Sequence, residues 1–332
     1  MALALTDINS VTQRLIVPKA YDVVFKYSPM FVRLRTRHAV QFTGGTSIDT
    51  PIIYAKLRGG PFTRGQALNI DYVNTDTAFT VKPKFYYISV VLFGTDGVLN
   101  RGENAAMSLV ELKLANAAAA MGENLSIDMY LDGLSTAAVN TNLGANSTTA
   151  SLDGFAQWYD DGTNVTAVGG ITRTDLNPTN GTVGGGNAYF KSFNAPIATT
   201  DLNTAFGKAW FGPDRPDLLS ATPDVWNYVV AKLQPAQRYE RADTDVVKAG
   251  FQAVQYMGAD FVVDNYCPAS SLWGFNTKYI QFYMTTNRLF QFGFTGFKED
   301  QGTVDYAGQY LFGGDIVVSN PRTGFQLCQI TG

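Results

Sequence analysis

His38 is the chain's single histidine, so any Ser-His-Asp or Cys-His arrangement would have to be built on it, because that chemistry needs an imidazole to take the nucleophile's proton. It stands in the stretch VRLRTRHAVQF with no acidic or nucleophilic neighbour, the setting of a half-buried structural histidine. Cys267 and Cys328 are far apart and lack the clustered spacing of a zinc site. They read as free buried thiols of a reducing compartment, with a disulfide between them left open. Asp160-Asp161 and Glu299-Asp300 offer adjacent carboxylates, but the side chains of adjacent residues diverge, and both pairs read as solvated turns. No GxxxxGK[ST] loop is present, and Gly184-Gly185-Gly186 leads into an aromatic stretch instead of a helix N-terminus, so no nucleotide fingerprint is met. Trp158, Trp210, Trp226 and Trp273 read as core or interface rings. These residues make no enzyme and ask for no cofactor or metal.

Composition points from chemistry to contact. Of the 332 residues, 45% are hydrophobic and 13% aromatic, but only 16% are charged, against about 25% in soluble domains. Either much of the surface faces other protein, or the chain is a large self-contained β-rich domain; the low charge favours the first. A net charge of −3 and a pI near 5.2 exclude a chain-wide electrostatic grip on nucleic acid. The N-terminal MALALTDINSVTQRL lacks the basic start and continuous apolar run of a signal peptide. No stretch has the length of a membrane span. The expectation is a soluble chain made inside a cell, with no membrane partner.

The element that would organise the rest is residues 101–131, RGENAAMSLVELKLANAAAAMGENLSIDMYL. Asn100 can cap it, with Glu103 completing a capping-box-like pair, and Asp132-Gly133 supplies a stop. Met107, Val110, Leu114, Ala117, Met121, Leu125 and Met129 recur on one face. The helix would be about 45 Å long. Gly122 lies mid-helix, where glycine costs about 1 kcal/mol relative to alanine; it is a hinge or a close-packing point in a Gly/Ala patch.

Before this helix the chain reads as extended. A short helix from Pro18 to about Tyr27 is predicted, then a strand over 31–42 with Arg33, Arg35 and Arg37 on one face. That basic face protects an edge strand or pairs with an acidic surface of a neighbour. Strands over 47–57 and 70–93 flank RGGPFTRGQ (58–66), giving a long hairpin whose tip carries Arg58 and Arg64. An isolated two-stranded ribbon is marginal in water, so it must lie on something. After the helix, 134–196 alternates loops with short apolar islands. Then come a helix over 200–211, the strand DLLSAT, and a helix over 223–233 with Thr222 as cap and Pro223 at its first turn. From 251 onward strands dominate, beginning with a hairpin turning at Met257-Gly258. The class is α+β.

The order of these elements, with several local phrases, resembles the major capsid proteins of tailed bacteriophages, which share the Hong Kong 97-like fold. The phrases are VGGITRTD (168–175), RPDLLSATPDVWNYV (215–229), LQPAQRYE (233–240), GFQAVQYMGADFVVDNYCP (250–268), LWGFNTKYIQFY (272–283), and FTGFKED with AGQYLFGGDIVVSNPRTG (294–324). The resemblance implies an N-arm at 1–40 and an E-loop hairpin at 41–93. A P-domain over 94–133 would hold the spine helix 101–131. An A-domain would cover 134–284, and return strands of the P-domain with the C-terminus 285–332. It also implies self-assembly as hexamers and pentamers into an icosahedral virion shell, made in the host bacterial cytoplasm. An encapsulin-like shell protein of a cellular nanocompartment is the alternative with the same fold.

The partners implied are other copies of the chain, a portal protein, in some shells decoration proteins, and a separate scaffolding protein or none, the expectation being that no long cleaved extension precedes the arm. Double-stranded DNA would be packaged without tight specific binding, as suits an acidic chain. Covalent cross-linking does not carry over, because no motif here fixes its partner positions. Charge complementarity suggests that Arg58 and Arg64 meet Glu299 or Asp300 of a neighbouring subunit. In this fold the spine helix is thought to bend or straighten on expansion, and Gly122 is the position where it would do so.

Overall fold

The computed structural model describes residues 28–53, 57, 59–68, 70, 72, 75–95, 109–131, 151–160, 165–172, 192–196, 201–233, 253–299 and 305–328. The expected helix from Pro18 to Tyr27 lies outside them. The described chain opens on a cap. The Ser28 hydroxyl accepts the Phe31 N–H at 3.3 Å, and Pro29 follows in the first turn, where its missing N–H costs nothing. The result is helix α1 (Pro29–Arg37), followed by strand β1 (Ala39–Phe42). The strand expected over 31–42 is therefore helical as far as Arg37. The alternation is real, but Met30, Phe31 and Leu34 also fall at helical spacing, and the cap with its proline decides between the two periods.

β2 (Ile48–Ile53) and β3 (Asp76–Val81) pair antiparallel, Ile48 opposite Val81 and Ile53 opposite Asp76. The strand expected over 70–93 breaks at Lys82-Pro83, and β4 (Lys84–Leu92) leaves the hairpin for a larger sheet. Proline has no N–H to give a ladder, so a break there is natural. Next come helices α2 (Leu109–Asp128) and α3 (Phe155–Trp158), the short pair β5 (Ala167–Val168) and β6 (Ile171–Thr172), and β7 (Phe193–Pro196). Helix α4 (Asp201–Ala209), strand β8 (Leu218–Ala221) and helix α5 (Pro223–Leu233) follow. The remainder is strands: β9 (Ala253–Tyr256), β10 (Ala259–Val263), β11 (Leu272–Phe275), β12 (Ile280–Thr285), β13 (Gln291–Phe294), β14 (Lys298–Glu299), β15 (Tyr306–Val318) and β16 (Phe325–Cys328). At the β9–β10 turn Met257 and Gly258 both have positive φ, 50° and 82°, the geometry a tight hairpin requires.

Two six-stranded sheets form the body. In the first, β15 is the central strand: β4 pairs with it over 306–314, and β12, β13 and β14 pair with it elsewhere. β1 joins in parallel through β12. The second runs β7-β16-β11-β8-β10-β9. One core fills the space between α2 and the first sheet, with Met121, Leu125, Phe79, Trp158, Phe282 and Phe312 fully buried. The other joins α4 and α5 to the second sheet through Phe206, Val225, Leu219, Phe261, Leu272 and Phe325.

The long helix is described from Leu109, so Arg101, Asn100, Glu103 and Met107 lie outside the described residues, as does the Asp132-Gly133 stop. It ends at Asp128, three residues short of the expected boundary. The chain then tightens, Tyr130 N–H reaching Ile127 O at 3.1 Å and Leu131 N–H reaching Asp128 O at 3.1 Å. Of the expected stripe, Ala117, Met121, Leu125 and Met129 are buried, whereas Val110 is exposed. The helix thus packs by its C-terminal half and presents its N-terminal half to the outside. It runs unbroken through Gly122, whose carbonyl accepts the Ser126 hydroxyl at 2.7 Å.

Where the helix ends, a buried carboxylate ties distant pieces together. Asp264 accepts the Ser28 hydroxyl, the Tyr130 hydroxyl at 2.8 Å and the Tyr266 N–H at 3.0 Å. The Tyr130 oxygen also lies 2.8 Å from Ser220 Oγ in β8. Burial raises the Asp264 pKa, and these hydrogen bonds oppose the rise. Tyr130→Phe removes one donor from a carboxylate that is 1% exposed. The expected loss is about 1–3 kcal/mol of unfolding free energy, read by denaturant titration, with the fold retained.

Candidate assembly surface

The groups that might have done chemistry are engaged in structure. His38 sits at the C-terminal end of α1, where its carbonyl accepts the Phe282 N–H at 2.9 Å. Burial, then the Arg33 charge, lowers its pKa. Burial pushes the Cys267 thiol far above its ordinary range, and the thiol is free; the Cys328 side chain lies outside the described set. Asp160 is buried, not solvated as expected, because its carboxylate accepts the Val165 N–H at 2.8 Å to close the loop before β5. Among the described residues no group of three His, Cys, Asp or Glu side chains could hold a metal ion, and no helix is long and apolar enough to cross a membrane.

The basic face of the arm is likewise partly consumed. Arg33 turns inward from α1 to Asp217 at 3.2 Å and Asp260 at 3.7 Å. Asp217 also accepts the Thr277 N–H at 2.7 Å and its hydroxyl, so this ion pair fixes α1 to the start of β8. Arg35 lies over the Phe292 ring at 4.7 Å. Sequence reasoning missed these pairings because Arg33 and Asp217 are 184 residues apart. A helical period in 29–37 was the available signal.

Large apolar side chains are exposed along the β2–β3 hairpin. Among the described residues the β2–β3 hairpin is fastened at its base, where Ile48, Phe79 and Val81 are buried. The Phe79 ring meets Trp158 edge-on at 5.4 Å, and the Thr80 N–H donates to Gly169 O at 2.8 Å. A Cβ on Gly169 would lie 2.8 Å from that of Phe79, so the β5–β6 turn must approach as glycine backbone. Beyond the base, Ile53, Leu57, Phe62, Leu68, Ile70 and Tyr72 are all exposed, the last two 93% and 92%. At the tip the Thr63 carbonyl accepts the Gln66 N–H at 3.0 Å, the Gln66 side-chain carbonyl accepts the Thr63 N–H at 3.1 Å, and Arg64 projects outward between them. Glu299 belongs to β14 on the first sheet, opposite Tyr306. Arg58 and Asp300 lie outside the described residues.

A second apolar strip runs along β4, where every second residue faces out: Phe85, Tyr87 and Val91 are exposed, with Phe93 beyond. Val110 and Leu112 of α2 are exposed as well, and Lys113 Nζ donates to the Val91 carbonyl at 2.7 Å. A single soluble subunit rarely leaves this many large apolar side chains exposed, as they are among the described residues.

No family model and no curated protein matches the chain. Solved structures do match. The capsid asymmetric unit of cyanophage A-1(L) covers 99% of this chain and 100% of its own, with a TM-score of 0.69 at 12% identity. The capsid of a native GTA particle covers 97% and 96%, with a TM-score of 0.62 at 10% identity. The chain has the Hong Kong 97-like capsid fold. An encapsulin, in the holo-SrpI complex of Synechococcus elongatus PCC 7942, matches over 99% of this chain and 96% of its own, with a TM-score of 0.59 at 10% identity. The Hong Kong 97-like fold of this chain is thus one that phage capsids and an encapsulin have in common.

The geometry makes a separable demand. Replacing Ile53, Ile70 and Tyr72 by serine removes apolar side chains that touch little in the isolated chain. Subunit melting should therefore shift by less than about 2 °C, while the fraction entering large assemblies, read by sedimentation, falls at least about tenfold.

Proposed function

We propose that this chain is the major capsid protein of a tailed bacteriophage, assembling as hexamers and pentamers into the icosahedral shell around double-stranded DNA. The observation that carries the proposal is the full-length likeness to the cyanophage capsid subunit. The exposed hairpin supports it. Fully burying a large apolar side chain contributes about 1.5–3 kcal/mol, so a few of these six covered by the next copy outweigh much of the ordering cost, and the contact repeats around a ring. The same reading carries the division into N-arm, E-loop, P-domain and A-domain at the boundaries given above. It also carries the portal, the separate scaffolding protein, the decoration proteins and production in a bacterial cytoplasm. An encapsulin-like shell is the second reading, favoured by the 0.59 match.

Within the proposal, the hairpin tip pairs by charge with a neighbour, Arg58 and Arg64 meeting Glu299 or Asp300. Gly122 serves as the bend of the spine helix on expansion. Its burial within a continuous helix fits close packing too, and Gly122→Ala separates the roles: a hinge predicts normal assembly with arrested expansion, close packing predicts poor assembly.

Electron microscopy of the chain expressed with a scaffolding protein tests the function. Closed polyhedral shells are the expected result, and soluble monomers or open tubes would overturn it. Shells that fill with a co-expressed enzyme and never with DNA would favour the encapsulin reading. In the same preparation, Arg58→Glu with Arg64→Glu should cut shell yield several-fold, and added Glu299→Arg with Asp300→Arg should restore it; unchanged yield in the first variant would refute the pairing.

A further inference from the structure

A second buried carboxyl group lies beside the end of α2, in different company from Asp264. Asp315 in β15 is 0% exposed. Its Oδ1 accepts two backbone donors, the Asp153 N–H at 2.9 Å and the Ile316 N–H at 2.8 Å. Its Oδ2 is buried without a hydrogen-bond partner. The Asp153 side chain is itself mostly buried and lies 3.4 Å from Lys84 Nζ of β4. The remaining titratable neighbours are Tyr86 of β4, which donates to Asp128 at the end of α2 at 2.8 Å, and Tyr283 of β12, directly opposite Asp315 in register. Among the described residues the cation facing the two carboxyls is Lys84.

The backbone of 151–154 is therefore held from both sides. Leu152 N–H donates to the Tyr86 hydroxyl at 2.7 Å, Asp153 N–H donates to Asp315, and Phe155 N–H donates to Met129 O at 2.7 Å. Gly154 lies so close to the helix end that a Cβ there would come within 2.2 Å of Leu131 O. This short segment clamps the end of α2 to the β4–β15 sheet. We infer that Asp315 carries the proton of this carboxyl pair, its Oδ2 being buried without a hydrogen-bond partner, and that releasing it to solvent unlocks segment 151–154 from the sheet. With the proton in place, Lys84 balances the one negative charge. Without it, two carboxylates, Asp315 fully buried and Asp153 mostly so, face that one cation, and the cheapest relief is for the segment to leave.

The sign follows from burial. Desolvation, and then the charge of Asp153, push the Asp315 pKa well above the usual carboxyl range, and desolvation raises Asp153 too. The folded chain thus binds more protons than the unfolded chain at pH values between the unfolded carboxyl pKa and the raised folded one. Stability from this site is full below the unfolded pKa and is lost as pH rises through that window. The latch belongs to one subunit and goes beyond the shell reading, so its test is made at fixed assembly state on the full chain.

Asp315→Asn keeps the Oδ1 acceptor and cannot ionise. Relative to the natural chain, its melting temperature should be higher by about 3 °C or more near pH 9, with the difference vanishing near pH 4. Lys84→Met should steepen the fall with pH. An infrared difference spectrum of the natural chain between these limits should show a protonated carboxyl C=O band lost on raising pH, absent in Asp315→Asn. Amide exchange at Leu152 and Asp153 should accelerate with that loss beyond its intrinsic pH dependence. If Asp315→Asn does not fold, Asp153→Asn, which removes the neighbouring charge, must move the loss of that band to lower pH. Parallel melting curves for the natural chain and Asp315→Asn, or a carboxyl band unchanged across the range, would overturn the inference.

Discussion

Tyr130 stands where the parts of this molecule meet. Its hydroxyl bonds Asp264 and Ser220, which fixes it to the loop after β10 and to β8 of the second sheet. Its ring lies 5.8 Å from Phe155, 6.0 Å from Trp273 and 6.4 Å from Phe275. One side chain just past α2 therefore sets the helix end against α3 and the second sheet by packing, and against the helix-capping Ser28 through the shared carboxylate. A tyrosine suits the position because the ring fills a core while the hydroxyl satisfies a carboxylate that would otherwise be costly to bury. Burial and the Asp264 charge hold that hydroxyl firmly protonated.

With the helix end fixed, the exposed surfaces are consequences. The second half of α2 is spent on the core, so its first half, with Val110 and Leu112, projects beyond it beside the apolar strip of β4. The β2–β3 ribbon has its base locked by Phe79 and Gly169, yet among the described residues Ile70 and Tyr72 beyond it stay exposed. A ribbon of two strands has only two faces and cannot cover both. Covering by a neighbouring copy, as proposed, would tie the local economy of burial to assembly.

The legible parts were those whose determinants are close in sequence. Met257-Gly258 specified its own turn, and Thr222-Pro223 its helix, because cap, proline and glycine act over a few residues. The hairpin was legible as two strands around a Gly- and Pro-rich turn, but the point where β4 deserts it was not. That depends on a partner, β15, more than two hundred residues away. Ser28-Pro29 carried a local signal for α1 that the alternation of arginines obscured. The need of the hairpin's strands for outside cover followed from the ribbon argument, while Asp160 looked like a solvated turn and is buried.

The carboxylates explain why the rest was hidden. Ser28 and Asp264 are 236 residues apart, Tyr130 and Asp264 134, Asp153 and Asp315 162. Nothing about an isolated aspartate says that it will be buried, since burial is set by what folds over it. In a chain with only 16% charged residues, each charge taken inward is one fewer to keep the surface soluble. Arg33, Lys84, Asp153, Asp264 and Asp315 are all turned inward to join elements, so the outer face is left to Ile70, Tyr72, Phe85 and Tyr87. A low overall charge and a set of internal ionic joints are thus two sides of one distribution, and the uncharged face that results is what a neighbouring copy can cover at little desolvation cost.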